Sequence, residues 1–228
     1  MQHARMRVQP AQPALQAKCL LRFEPVVHLK TGDVACAAVQ SSRRFEELAA
    51  FGKSGLVSSG ESPAAWLART IEDVAERARI TEVDVRPFHI EAPVAAMMHP
   101  DTPMACEAAT ARSRLLPQEV CIEVSDASLS QSRKDVMRSI EALRRKGFRI
   151  GVIATRSWST PLDTSLRLML DTVRVQAALL HRDTDLMNRV EAAVACGMSV
   201  IAEGARYRDA DDLASIGVEL AMRPRADA

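Results

Sequence analysis

The sequence predicts a single α/β domain: a TIM-like (β/α)8 barrel of eight strands that includes one antiparallel pair. From about residue 87 onward, short apolar runs rich in β-branched residues alternate with helical segments, which is typical of a parallel sheet. A tight turn pairs two further strands nearer the N-terminus. Counting that pair gives eight strands, which favours a closed barrel over an open sheet. A length of 228 residues suits one such domain.

The first two strands are predicted to form a hairpin. Residues 20–29 and 34–39 are apolar runs, and the sequence Lys30-Thr31-Gly32-Asp33 between them is typical of a tight turn. Parallel strands need a long crossover connection, so a turn this short requires an antiparallel pair. The hairpin therefore adds one antiparallel pair to a sheet that is otherwise predicted to be parallel.

The remaining elements follow in order along the chain. Ser62 and Pro63 predict the start of a helix over 64–79, because Pro is favoured at the first helical position, and Gly147 predicts the end of another helix. Strands are predicted at 87–92, 120–125, 149–155, 172–175, 199–202 and 218–222, and further helices at 94–98, 104–112, 131–146, 162–170, 185–196 and 209–215. Trp158, in the loop at 156–161, is predicted to be exposed. Residues 1–16 predict a flexible leader, which leaves 17–228 for the barrel.

The composition argues against several classes of protein. With 30 basic and 29 acidic side chains, the net charge of +1 gives no electrostatic reason for binding nucleic acid or an anionic membrane. No apolar run approaches the roughly 18 residues of a membrane span. The five cysteines form no C-x-x-C pair, so free thiols are expected and a zinc site is not. Without a signal-peptide hydrophobic region, the expected location is the cytoplasm.

Two neighbouring strands carry the main functional signal. The strand at 120–125 includes Glu123, a carboxylate close to the strand end where a barrel enzyme places a reactive group. The next strand ends in Ile153 and Ala154, which can take part in neither acid–base chemistry nor metal binding. This contrast predicts an enzyme fold that no longer carries out its reaction.

Several segments, taken in order, resemble the EAL domain, a bacterial phosphodiesterase family that hydrolyses cyclic di-GMP. Residues 23–33 look like the opening of that family, and Glu123-Val124-Ser125-Asp126 is similar to its Glu-x-Thr-Glu motif. The segments that precede its paired aspartates, carry its catalytic lysine and form its penultimate strand are matched by residues 143–150, 170–175 and 197–204. The resemblance extends from about residue 20 to 222, with a shorter helix before the seventh strand, so the barrel is expected to be somewhat shortened near its C-terminus.

The resemblance implies a TIM-like barrel whose first strand runs antiparallel to the others, in agreement with the hairpin. It also implies an active site at the C-terminal strand ends, where carboxylates and an asparagine hold two divalent cations. Glu123 and Glu203 retain two of the family's glutamates, and Arg174 stands at its lysine. The other matched positions are changed: the signature glutamate falls at Ala38, the metal-binding asparagine at Glu91, the aspartate pair at Ile153 and Ala154, and a later aspartate at Gln176. Loss of so many oxygen ligands predicts no metal cofactor and no catalytic residues.

The retained glutamates have a structural interpretation. A buried carboxylate needs a donor, so Glu123 and Glu203 are predicted to pair with Arg174, with Arg149 or with Arg206. They could alternatively contact a ligand. The histidines at positions 28, 89 and 99 share no metal-ligand spacing and are interpreted as core or surface residues.

Three functions follow from these observations. The favoured hypothesis is a catalytically inactive regulatory protein that acts through protein–protein contacts, since degenerate members of the family include flagellar regulators. Motility or biofilm control rests on that precedent, and a homodimer rests on analogy. The alternative is a receptor that binds cyclic di-GMP without cutting it, although Glu24 stands where the family has a nucleotide-contacting glutamine and would repel a phosphodiester. A third hypothesis is different enzyme chemistry at Glu91, Glu123, Arg174 and Glu203.

Overall fold

The computed structural model describes residues 21–41, 61–156, 158–222 and 224. Within them, eight strands close into one barrel in sequence order. The strands are β1 (Leu21–His28), β2 (Val34–Ser41), β3 (Phe88–Glu91), β4 (Val120–Ser125), β5 (Arg149–Ala154), β6 (Thr172–Gln176), β7 (Ser199–Glu203) and β8 (Leu220–Met222). β1 is antiparallel to both of its neighbours, β2 and β8, and every other pair is parallel. The predicted fold class is confirmed, and the predicted ends of every strand lie within two residues of the observed ones.

Helices surround the barrel in the described part of the chain. They are α1 (Pro63–Ile80), α2 (Val94–Met97), α3 (Thr102–Ser113), α4 (Asp126–Gln131), α5 (Arg133–Arg145), α6 (Thr164–Arg167), α7 (Ala177–Leu180), α8 (Thr184–Ala195) and α9 (Ala210–Ser215), with 3₁₀ turns at Pro117–Glu119 and Tyr207–Asp209. Ser62 caps α1 by accepting a hydrogen bond from the Ala65 amide, and Pro63 is its first residue, as predicted. Gly147 follows α5 with φ of +90°, a conformation that glycine adopts without strain.

Two predicted helices differ from the observed ones. The helix predicted at 131–146 begins only at Arg133, because Ser132 has φ −132° and ψ 38°, outside the helical region, and separates it from α4. The helix predicted at 162–170 is the single turn α6. It cannot extend to the next strand, since the Asp171 amide already donates to the Ile150 carbonyl of β5.

The strands divide their side chains between two apolar regions. Residues such as Phe88, Ile122 and Val152 face outward and pack against the helices in the main core. A smaller cluster belongs to the barrel interior and contains Val26, Cys36, Ala38, Ile201 and Met222. The alternation follows the two-residue period of a strand, which also turns alternate residues of β4, including Glu123, toward the interior.

The prediction that Trp158 is exposed is wrong: its exposure is 7%, and it packs in the main core. The next two residues are hydrogen-bonded to Asp126 at the start of α4 and hold the loop against the protein, which buries Trp158.

No helix in the described ranges combines the length and apolar character needed to cross a membrane. The leader predicted at 1–16 lies outside the described residues.

Candidate functional site

Glu123 on β4 is the central residue of a charged cluster inside the barrel. Only 2% of its side chain is exposed, and both carboxylate oxygens contact cationic or ionisable groups. Oε1 lies 3.1 Å from Nδ1 of His89 on β3, and Oε2 lies 3.0 Å from Nη2 of Arg174 on β6. The carboxylate therefore has a partner at each oxygen, as a buried charge requires.

Arg174 extends the cluster toward solvent. Its Nε lies 3.4 Å from Oε1 of Glu203 on β7, an ion-pair contact without hydrogen-bond geometry. Its Nη1 lies 3.5 Å from the sulfur of Met222 on β8. The exposed side-chain fraction rises from 2% at Glu123 to 11% at Arg174 and 25% at Glu203. The cluster thus runs from the barrel interior to its mouth.

Gly151 on β5 leaves room for this arrangement. In the parallel register it stands between Glu123 on one side and Thr172 on the other. A Cβ at this position would lie 2.6 Å from Thr172 Oγ1 and 3.1 Å from Glu123 Cγ. The absence of a side chain at Gly151 therefore permits the close packing of β4 and β6 side chains in the interior.

The charges of the cluster shift the pKa values of its members. Burial alone would raise the pKa of Glu123, but the charges and hydrogen bond of Arg174 and His89 outweigh it and lower that pKa. Burial alone would lower the pKa of His89, but interactions with Cys121, Cys36 and Glu123 outweigh it and raise that pKa well above its ordinary value. Glu123 is therefore ionised within the fold.

Glu203 shows the opposite shift. Burial raises its pKa, and the negative charges of Glu123 and Glu91 add to that rise, while Arg174 lowers it. One guanidinium thus interacts with two carboxylates that repel each other. Glu123 retains the closer contact, at 3.0 Å against 3.4 Å.

Glu24 and Glu91 occupy different parts of the site. Glu24 on β1 is buried, and its Oε2 accepts a hydrogen bond of 2.9 Å from Nε2 of Gln40 on β2. Glu91 is exposed at the end of β3 and is aligned with Glu123 in the register of β3 and β4. Its charge acts on Glu203, which places it in the electrostatic environment of the mouth.

Apolar or neutral side chains occupy the positions matched to lost metal ligands. Ala38 belongs to the interior apolar cluster, whereas Ala154 packs in the outer core. Ile153 is aligned with Arg174 across β5 and β6. Gln176 is aligned with Glu203, and its Nε2 lies 3.1 Å from the position a Cβ would have on Gly204. Only Gln176 of these four offers a side-chain oxygen, and an amide oxygen is a weaker ligand for a hard divalent cation than a carboxylate.

The two-cation site implied by the sequence resemblance does not fit these residues. A metal ion between Glu123 and Glu203 would compete with Arg174 for the same oxygens. Among the residues that the structure describes, no three His, Cys, Asp or Glu side chains form a group that could hold a metal ion. The arrangement instead neutralises its carboxylates with protein side chains.

Asp126 fixes the loop that follows β5. Its carboxylate accepts hydrogen bonds from the amides of Ser159 and Thr160, at 2.8 and 2.9 Å, and from the Ser159 hydroxyl at 2.8 Å. Burial raises the pKa of Asp126, but these hydrogen bonds outweigh it and lower the pKa. Nη1 of Arg189 on α8 also donates to the Thr160 carbonyl, at 3.2 Å. The loop is therefore attached to both α4 and α8.

Sequence reasoning missed three of these contacts. His89 was expected to be a core or surface residue; it is buried, but it also contacts Glu123. Its position two residues before Glu91 on the same strand is the signal that places both on one face. Nothing in the sequence singled out Gln40 as a partner of Glu24 or Asp126 as the acceptor for the loop. Arg149 and Arg206, the other predicted ion-pair partners, instead lie at exposed positions.

The family model described as EAL domain matches residues 9–222 of this chain. The fold is similar to that of a PaMucR phosphodiesterase in complex with c-di-GMP, with a TM-score of 0.69, 16% identity, and coverage of 90% of this chain and 93% of that chain. For BlrP1 of Klebsiella pneumoniae with manganese and cyclic di-GMP, the TM-score is 0.69, the identity 19%, and the coverage 94% of this chain and 55% of that chain.

A third similar structure is the EAL domain of DcpA from Mycobacterium smegmatis, with a TM-score of 0.66, 20% identity, and coverage of 90% of this chain and 89% of that chain. Identities at this level support a shared fold and leave function to be argued from the site. No curated protein matches the sequence.

Proposed function

Because the chain belongs to the EAL domain family, we propose that it is a catalytically inactive member that acts as a regulatory protein in bacterial signalling, through contacts with another protein. The observation that carries this proposal is the state of Glu123: its two oxygens contact His89 and Arg174, where a metal-dependent enzyme needs a free carboxylate. The matched acidic positions at Ala38, Ile153 and Ala154 add no ligand.

The cost of restoring a metal site supports the same proposal. Hard divalent cations are held by several oxygen ligands, most of them charged. A cation at Glu123 would have to displace the guanidinium of Arg174 from a contact of 3.0 Å, and Glu203 is already shared with the same guanidinium. Without bound cations, no activated water is available for attack on a phosphodiester.

The charge around the mouth favours a protein partner over an anionic nucleotide. Glu91 adds a negative charge to the electrostatic environment of the mouth, and Glu24 on β1 stands at the position matched to a nucleotide-contacting glutamine. Each carboxylate would repel the phosphates of cyclic di-GMP. The balanced net charge of +1 gives no reason to expect nucleic acid or membrane as the partner. We place the protein in the cytoplasm, and propose motility or biofilm control as its setting and a homodimer as its assembly, both by analogy with the family.

The test is a hydrolysis assay with purified protein, cyclic di-GMP and Mg²⁺ or Mn²⁺. We expect no product above a control without protein, at any concentration of either metal. Hydrolysis that depends on the divalent cation and disappears in Glu123→Ala would overturn the proposal. Loss in that variant distinguishes activity of this site from a contaminating phosphodiesterase.

The second candidate is a receptor that binds cyclic di-GMP without cutting it. The observation in its favour is the guanidinium of Arg174 near the mouth, where 11% of the side chain is accessible. Calorimetric titration separates the two candidates: micromolar or tighter binding supports the receptor, whereas no heat at high ligand concentration supports regulation through protein contacts alone. Arg174→Gln serves as the control, since a receptor that uses this guanidinium loses affinity in that variant.

A further inference from the structure

We infer that Arg174 is a built-in cation that takes the place of a divalent metal ion between Glu123 and Glu203, and that its guanidinium keeps metal ions out of the barrel mouth. This inference deepens the proposed function and rests on it. In the proposed function the site has no catalytic activity, and Arg174 is the residue that closes this site to metal ions.

The geometry shows one guanidinium bridging two carboxylates from different strands. Nη2 of Arg174 contacts Glu123 at 3.0 Å, and Nε of the same group contacts Glu203 at 3.4 Å. β6 carries Arg174, and its neighbour β7 carries Glu203, while β5 separates it from Glu123 on β4. A metal ion that compensates these two charges would need the same oxygens, at about 2.0–2.6 Å.

Arginine suits this role better than lysine does. Its planar guanidinium presents several donors in a fixed arrangement, so a single side chain can contact two carboxylates at once. An ammonium is a compact point charge that contacts fewer groups from one position. Arg174 therefore supplies a separate nitrogen for each carboxylate, Nη2 for Glu123 and Nε for Glu203.

The surroundings of Arg174 hold the guanidinium in place. Met222 lies against Nη1 at 3.5 Å, and Ile153 is the neighbour of Arg174 in the β5–β6 register. Only 11% of the side chain is exposed. Moving the guanidinium out to admit a metal ion would deprive Glu123, which is 2% exposed, of one of its two partners during the exchange.

Removing the guanidinium of Arg174 should open the site to a divalent cation. Arg174→Ala leaves Glu123 and Glu203 facing each other, with Glu91 at the neighbouring strand end. Glu123 then keeps only its contact with His89 and Glu203 loses the guanidinium, so the two carboxylates attract a divalent cation, and the lost side chain provides space for it. With few oxygen ligands present the binding will be weak, but it will exceed that of the unaltered protein.

Free Mn²⁺ measured by electron paramagnetic resonance provides the test, because binding removes the signal of the hydrated ion. The unaltered protein and Arg174→Ala are titrated with Mn²⁺, together with Arg206→Ala, which removes an exposed positive charge near the end of β7. We expect no binding by the unaltered protein or by Arg206→Ala. We expect Arg174→Ala to bind with a dissociation constant at least about tenfold below the weakest one that the titration detects, a difference of about 1.4 kcal/mol.

The outcomes separate the two claims. Binding by the unaltered protein contradicts the proposed function and this inference together. Equal, undetectable binding by all three proteins contradicts the inference alone. Arg174→Gln, which keeps a polar side chain, is titrated in parallel in case the alanine variant fails to fold. If both variants are unfolded and Mn²⁺ does not restore their circular dichroism spectrum, the inference is also wrong.

Discussion

Replacing Arg174 with methionine tests how strongly the stability of the fold depends on the ion pair between Arg174 and the buried carboxylate of Glu123. Removing one member of a buried ion pair costs about 3–5 kcal/mol, because the other charge stays buried without compensation. Only 2% of the Glu123 side chain is exposed, so its charge would stay buried. Because Glu123 keeps its contact with His89, we expect a loss of stability at the lower end of that range, about 3 kcal/mol. The contact with Glu203 adds about 0–1 kcal/mol, since a quarter of that side chain is exposed to solvent.

Urea unfolding followed by circular dichroism measures this loss as a shift of the midpoint. Arg206→Met is the matched control; its side chain is exposed, and we expect a change within about 0.5 kcal/mol. A double variant with Glu123→Gln should lose less than the sum of the single variants, because a neutral amide does not need the guanidinium. A loss below about 1 kcal/mol in folded Arg174→Met would refute the ion-pair reasoning.

Gly151→Ala should destabilise the protein by about 1–3 kcal/mol in urea unfolding, because the new Cβ would lie 2.6 Å from Thr172 Oγ1. Adding Thr172→Ala should recover part of the lost stability. An unchanged stability of Gly151→Ala would contradict this close packing. Asp126→Ala in a Trp66→Phe background should redshift the fluorescence of Trp158. The difference in melting temperature between Asp126→Ala and the unaltered protein should shrink as pH falls through the Asp126 pKa, since hydrogen bonds lower that pKa and stabilise the ionised form. A difference in melting temperature that grows on acidification would contradict this assignment. Ser62→Ala should cost about 1 kcal/mol of unfolding free energy through loss of the α1 cap, and an unchanged urea midpoint would show that the cap contributes nothing.

The barrel could be predicted from the sequence because its signals are local. The turn at residues 30–33 determines the antiparallel pairing of β1 with β2, and alternating strand and helix patterns place the other strands within two residues of their observed ends. The helix break at Ser132 could not be predicted, since serine is compatible with a helix and only its backbone angles reveal the break. Trp158 was placed incorrectly because its burial depends on the hydrogen bonds of Asp126, which is distant in sequence.

The charged cluster was only partly predictable. Glu123, Glu203 and Arg174 were candidates from the sequence, but choosing Arg174 over Arg149 or Arg206 requires the strand register. Arg149 begins β5, whereas the cluster extends toward the opposite ends of the strands, and its Nε donates to the Gln118 carbonyl. The contact of His89 with Glu123 likewise depends on which side chains meet inside a closed barrel, a relation between strands that no local pattern encodes.

Anomalous diffraction from crystals soaked in manganese chloride tests the central claim most directly, because it locates the metal and the guanidinium in one map. We expect no manganese peak within about 2.0–2.6 Å of the Glu123 oxygens, with Arg174 in contact with Glu123 and Glu203. Two manganese peaks sharing the Glu123 carboxylate, with Arg174 displaced, would contradict the account.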